Sequence, residues 1–382
     1  MDVKIQMVDL KSQHAKIKSE LDNAIQKVIE SSVFVKGNEV ACFENELASY
    51  LGVKHVIGCG NGTDAIQIAL MALGLEKGDE VIVPAFTYPA AIEVIVLLGL
   101  NPIMVDIDIV SFNLDVSKIE SKITHKTKAI IPVHLFGQSA EMKSIVQMAK
   151  KHNLFIIEDN AQSLGAIYTF SDGDKKRTGT IGHIGITSFF PSKNLGCMGD
   201  GGAIMTNDDE LALKIRMIAN HGQRELYVHE LIGVNSRLDS IQAAILRVKL
   251  KYLNSYESKR NTAAHYYDTY LGKYQDLIIP FRSVFSSHVF HQYTIRLSQR
   301  IDRNKLRKYL LESGIQTMVY YPTVACNQLA YSSDANSIND FPMSELASQT
   351  VFSLPIHTEM NEKLLKEICE TLIGGLRSQG IS

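Results

Sequence analysis

Five short apolar runs recur along the first half of the chain at an even spacing, each followed by a segment of helical character. The runs begin at His55, Glu80, Pro102, Ala129 and Leu154. Each repeat is therefore about 25 residues, enough for one strand, one crossover helix and two turns. The runs are mostly apolar, and repeated strand–helix units of this length suit a largely parallel sheet covered by helices on both faces. The intervening helices are read at residues 63–73, 89–98, 117–123 and 141–152. The third carries a Ser117/Glu120 capping box. Residues 13–32 and 38–51 precede the repeats as amphipathic helices, the second ending at Gly52.

Beyond the repeats, residues 203–206 read as a strand and 210–219 as a helix. One very long helix is expected from Asp239 to Tyr270, with Ile241, Ile245, Val248 and Tyr252 on one face. Residues 291–297, 303–312, 315–321 and 362–376 then suggest a smaller α/β unit with an antiparallel sheet. A chain of 382 residues is long for one core. The expected division is a large domain over 13–250 and a small C-terminal domain over 251–382, with residues 1–12 packing nearby. The polar stretch 168–180 reads as a turn-rich insertion.

A parallel sheet gathers its ligand at the carboxyl ends of its strands, so the residues just past each run carry the chemistry. After the first run comes GCGNGTDA, residues 58–65. Glycines let backbone N–H groups approach an anion, and the following helix adds the positive end of its dipole. The GxGxG spacing is neither the dinucleotide fingerprint nor a P-loop. It reads as a cup for one phosphate or as a structural turn. After the second run, Tyr88 in PAFTY is either a platform for a flat ring or plain core. The run LFII ends in Glu158-Asp159-Asn160-Ala161-Gln162. A carboxylate there either caps a helix or faces a protonated ring nitrogen.

Lys193 lies between Ser188-Phe189-Phe190-Pro191 and a glycine-rich bend, with no charged neighbour before Asp200. It reads as a surface ammonium, or as an amine whose pKa falls in a cleft and which can condense with an aldehyde. Ser188 could add a hydroxyl to the phosphate cup. Asn235 and Arg237 form a polar turn before the long helix. Each signal alone has a bland reading. Together they supply a phosphate cup, a ring platform, an acid for a ring nitrogen and an amine for an aldehyde, which are the parts of a pyridoxal 5'-phosphate (PLP) site.

Composition removes several other classes. A net charge of -2 with no long charged block leaves no electrostatic footprint for nucleic acid or an anionic membrane. The five cysteines include no CxxC pair, as in a reduced, cytoplasmic protein. The twelve histidines show no metal-ligand spacing, so no metal is expected. The most apolar run, 90–100, is too short to span a bilayer.

The segments GCGNGTDA, PAFTY, PVHLFGQ, IEDNAQSLGA, TSFFPSKNLG with GDGGA, and GVNSRLDSIQAAIL resemble the DegT/DnrJ/EryC1/StrS family of PLP-dependent nucleotide-sugar aminotransferases. The likeness runs over nearly the whole chain. It implies the aspartate-aminotransferase-like fold (fold type I), with a large, mostly parallel seven-stranded sheet and a smaller α/β domain. It implies Lys193 as the Schiff-base lysine, Asp159 on the pyridine nitrogen and Gln162 beside the phenolic oxygen. Gly62, Thr63 and Ser188 would hold the phosphate, and Tyr88 would stack on the ring. Asn235 would reach the phosphate from a neighbouring subunit, in a homodimer with shared sites. Arg237, Tyr320 and Tyr321 would contact the sugar. The family often has a histidine where this chain has Cys326.

The resemblance further implies L-glutamate as amino donor and a nucleotide-linked keto-sugar as acceptor, in surface polysaccharide or lipopolysaccharide biosynthesis. Phe190 and the GDGG bend look like the C3-aminating members, and Arg237 like those acting on a uronate. The 6-deoxy sugar, amination at C4, and a non-catalytic PLP-binding regulator remain as alternatives.

Overall fold

A computed structural model describes residues 3–331 and 338–381. All five expected strands form, and three of the four helices between them. Strands β1 (His55–Cys59), β2 (Glu80–Pro84), β3 (Asn101–Val105), β4 (Thr127–Ile130) and β5 (Phe155–Asp159) alternate with helices. A hairpin of β6 (Ile167–Thr169) and β7 (Lys175–Arg177) follows, then β8 (Ile184–Ser188) and β9 (Gly202–Thr206). Seven of these form one sheet in the order β1-β9-β8-β5-β4-β2-β3. All its pairings are parallel except the two made by β9. Ile82, Val83, Ile130, Ile157 and Ile186 are almost wholly buried in it. Each such side chain contributes about 1.5–3 kcal/mol of burial, which is why unbroken apolar runs select the middle of a covered sheet.

Before the sheet come α1 (Leu10–Lys16), α2 (Lys18–Ser31) and α3 (Asn38–Leu51). The first expected helix is thus two, broken at Ile17 with φ -119 and ψ 18. α3 ends at Gly52, whose φ of 70 suits a residue without Cβ. The covering helices are α4 (Gly62–Ala72), α5 (Ala90–Leu97), α6 (Met142–His152) and α7 (Asp209–Ile218). The helix expected at 117–123 is instead two single 3-10 turns, Val116–Lys118 and Glu120–Lys122. Its cap is also different: Asp115 accepts from the Ser117 N–H at 3.0 Å.

The long helix is likewise two, α8 (Ser240–Leu250) and α9 (Leu253–Leu271), interrupted at Lys251 and Tyr252. The stretch 168–180 is largely the β6–β7 hairpin. A second core gathers Tyr267, Leu271, Tyr293, Ile295, Phe352, Leu354, Ile368 and Leu372, and takes in Ile5 from the chain start. Its antiparallel sheet has short strands at Leu277–Ile278, Tyr293–Leu297 and Val351–Leu354. Residues 315–321 are no strand: isolated bridges pair Ile315 with Ile5 and Met318 with Ser353. Among the described residues no helix is long and apolar enough to cross a membrane.

Candidate active site

The carboxyl ends of β1, β5 and β8 meet at one place, and that is where Lys193 sits. The chain leaves β8 at Ser188 and closes a tight loop, with Cys197 N–H donating to Phe189 O at 2.8 Å and Lys193 N–H to Phe190 O at 2.8 Å. Phe189 is the root of the loop, fully buried and edge-on to Phe43 at 5.4 Å between ring centroids. On one side, Asn194 Nδ2 donates to Val289 O at 3.1 Å, tying the loop to the segment before the second core's central strand. On the other, Lys249 Nζ of α8 donates to Gly196 O at 2.6 Å from a site only 2% exposed. Nothing in the sequence marks Lys249, because a lysine in a helix pattern reads as solvated.

Lost hydration drives the Lys193 amine down to about 8, against the pull of the Asp159 carboxylate. Desolvation in turn raises Asp159, while the Ala161 N–H, Lys193 and His134 lower it. Burial therefore moves both partners towards their neutral forms, as a reactive amine requires.

The neighbouring acid, Glu158, has a different task. Its two oxygens accept from the N–H groups of Gly179 (2.9 Å), Ile181 (2.6 Å) and Gly182 (2.6 Å) and from His134 Nε2 (2.9 Å). Ala140 N–H donates to His134 Nδ1 at 3.1 Å, so Nε2 carries the ring proton. Four donors satisfy Glu158 and fix the end of β5. Asp159, with a single backbone donor at 3.0 Å, keeps an oxygen for a ligand.

The glycine turn forms the opposite wall. A Cβ on Gly62 would stand 2.8 Å from Ser188 Cβ, so only glycine lets the end of β8 close on the start of α4. Asn61 caps α4 by accepting from Asp64 N–H at 2.8 Å. The N–H groups of Gly62 and Thr63 begin the helix beside the Ser188 hydroxyl, an arrangement suited to one phosphate. Gln162 Oε1 accepts from Phe136 N–H at 2.8 Å, and its Nε2 donates to the Tyr321 hydroxyl at 2.9 Å. Tyr88, 60% exposed, lies 6.3 Å from the Tyr321 ring. Tyr320 adjoins Tyr321, with 6.0 Å between ring centroids. Cys326 is 4% exposed and packs in the main core with Ala85 and Phe341.

Asn235 and Arg237 do not join this group. Ser236 between them donates to Asp64 Oδ2 at 2.7 Å and accepts from Gly60 N–H at 2.8 Å. That pins the turn to the back of the glycine loop. Arg237 lines a separate cavity of about 500 Å³ with Lys36, Glu44, Arg216, Arg224 and Glu225.

The chain matches the DegT/DnrJ/EryC1/StrS aminotransferase family over residues 15–373. It belongs to that family. It is 44% identical to a pleiotropic regulatory protein of Geobacillus stearothermophilus, covering 96% of this chain and 97% of that one. It is also 44% identical to the UDP-2-acetamido-2-deoxy-3-oxo-D-glucuronate aminotransferase of Pseudomonas aeruginosa, covering 96% and 99%. The crystal structure of S. venezuelae DesV in complex with a ketimine intermediate superposes with a TM-score of 0.92 at 37% identity, covering 96% and 97%.

The family's cofactor is PLP, and the residues fit it. A desolvated amine, a buried acid with a spare oxygen and a glycine turn at a helix start closed against Ser188 converge on one cleft. The family membership and the seven-stranded sheet with one antiparallel member agree with the fold-type I expectation.

Proposed function

We propose that this chain moves an amino group from L-glutamate to C3 of a nucleotide-linked 3-keto-sugar, with a UDP-linked uronate as the preferred acceptor. The observation that carries the chemistry is the Lys193–Asp159 pair, an amine driven to about 8 beside a buried acid at the strand ends. The choice of sugar rests on the 3-oxo-glucuronate aminotransferase at 44% identity and on Arg237, whose planar fork suits a carboxylate.

PLP, when bound, supplies the electron sink for a carbanion. Gly62, Thr63 and Ser188 would hold its phosphate, and Tyr88 would lie against its ring. Asp159 would keep the ring nitrogen protonated, and Gln162 would sit at the phenolic oxygen. Lys193 would hold PLP covalently, and its amine, when free, would take the Cα proton of the donor and return a proton to the sugar carbon in the second half of the cycle. An amine near 8 has both protonation states available close to neutrality, which suits both directions. Tyr320 and Tyr321 would orient the sugar from the far wall.

The active unit in this reading is a homodimer in the cytoplasm. Arg237 lines a separate cavity, and among the described residues no hydrogen bond joins Asn235 or Arg237 to the Lys193 cleft, so both would serve the partner's. We also propose the division into a large domain over 13–250 and a small one over 251–382, with residues 1–12 beside it. The separate core around Tyr267, Phe352 and Leu372 supports it. The product fits a pathway to a surface polysaccharide.

The test is to offer the protein with PLP and glutamate a panel of UDP- and dTDP-linked 3- and 4-keto-sugars, identifying products by mass and NMR. A 3-amino uronate is the expected product. A 4-amino product rejects the C3 assignment. Failure to form 2-oxoglutarate from glutamate would favour the regulatory role that the Geobacillus relative's name carries.

A further inference from the structure

The cavity around Arg237 contains a charge arrangement that the cleft chemistry does not use. Residues 33–37 run against the turn that holds Arg237. Ser240 N–H donates to Phe34 O at 2.9 Å, and Val35 pairs with Asp239 as an antiparallel bridge. Continuing that register sets Lys36 and Gly37 against Leu238 and Arg237. Lys36 takes a φ of 55, in the left-handed region that non-glycine residues seldom occupy. Beside it, Gly37 packs directly on the turn, where a Cβ would stand 2.8 Å from Ser240 Oγ. Partial desolvation, then the Arg237 charge, hold the Lys36 amine below its ordinary range.

The other charges of the cavity are accounted for differently. Arg216 pairs with Glu44 at 2.9 Å, and Glu44 also accepts from Gly58 N–H at 2.8 Å. Arg224 pairs with Glu230 at 3.6 Å, and Glu225 stands exposed on the rim. Among the described residues, neither Lys36 nor Arg237 has a carboxylate within ion-pair distance. Arg237 has only the Asn220 Oδ1 at 3.4 Å. The start of α3, with Gly37 as its cap residue and no side-chain cap, adds a third source of positive potential at the same mouth. Two like charges held together without a counterion favour a ligand that brings the negative charge.

We propose that Lys36 and Arg237 form a two-cation site for an anionic group of the nucleotide-sugar substrate, either a sugar carboxylate or the diphosphate. This rests on the reading of Arg237 as a substrate residue and adds Lys36, which no motif marks. Lys36 is a recognition residue, remote from the proton transfers at Lys193.

Direct binding tests it without turnover. Wild type, Lys36→Met and Lys36→Arg, all loaded with PLP, would be titrated calorimetrically with UDP, UDP-N-acetylglucosamine and UDP-N-acetylglucosaminuronate. A carboxylate site predicts that Lys36→Met weakens the uronate alone by about tenfold, the usual size of one lost charge-assisted contact, with Lys36→Arg restoring most of it. A diphosphate site predicts a similar loss for all three ligands. Binding of all three to Lys36→Met as to wild type would overturn the proposal, and so would a failure of all three to bind wild type. Formation of 2-oxoglutarate from glutamate by the wild type reports on the aminotransferase reading separately.

Discussion

The Lys193 cleft and the Arg237 cavity lie on two sides of the same glycine loop and use charge in opposite ways. In the cleft, an amine and an acid face each other, and burial pushes each towards neutrality. The chain supplies both an amine and an acid there, Lys193 and Asp159, so the proposed proton transfer needs no outside partner. In the cavity, Arg216 is matched by Glu44 and Arg224 by Glu230, while among the described residues Lys36 and Arg237 are left without a carboxylate. In the proposed reading, chemistry is built into one face and recognition of an anion into the other. A single chain holds the two halves apart.

If the cleft carries the chemistry, its residues should dominate the rate. Lys193→Ala should lower turnover by about 10^4-fold or more, because both the covalent anchor and the proton carrier are lost. Circular dichroism and thermal midpoint should stay near wild type. Retained turnover would move the chemistry elsewhere. Asp159→Asn should cost about 10²–10³-fold in kcat while PLP still binds, since an amide cannot hold the ring nitrogen protonated. A near-normal kcat would reduce Asp159 to a backbone cap.

On the recognition face, Arg237→Lys should leave a 6-deoxy acceptor within a few-fold but lower kcat/KM for a uronate by about tenfold or more. Equal losses on both sugars would remove carboxylate recognition from the comparison. The smallest effect is one of pH. Because burial lowers Lys193 to about 8, its amine is neutral above that pH, far below the ordinary lysine range. The rate at which apoprotein takes up PLP should therefore rise with pH around a midpoint near 8. A midpoint near 10 would mean the cleft is wetter than its burial implies.

The cleft was far more legible in the sequence than the cavity, and the reason is physical. Gly62 and Asp159 follow strands whose apolar runs the sequence shows, and parallel strands deliver their carboxyl ends to one edge. The strand that leads to Lys193, β8, is not among the expected ones, so its glycine-rich surroundings alone single that residue out. Glu158 and Asp159 are adjacent and chemically alike. Only the backbone donors at Gly179, Ile181 and Gly182 show which of them is spent. Lys249 and Lys36 carry no local signal, because each gains its role from a contact distant in sequence. Helix breaks were invisible for a related reason. The apolar stripe from Ile241 runs on to Tyr252, which lies in the gap between α8 and α9, so periodicity alone does not show the break. The helix expected at 117–123 had a plausible Ser/Glu pair, but Asp115 took the cap first.

The central claim is that one working site takes its chemistry from the cleft of one chain and its recognition turn from the partner's. The direct measurement mixes Lys193→Ala and Asn235→Ala chains, dissociates and reassociates them, and verifies exchange by native mass spectrometry. Each heterodimer would then hold one doubly damaged site and one intact site. The account predicts activity rising from the parents' low levels towards about a quarter of wild type at equal mixing. Verified heterodimers with no more activity than the better parent would contradict it.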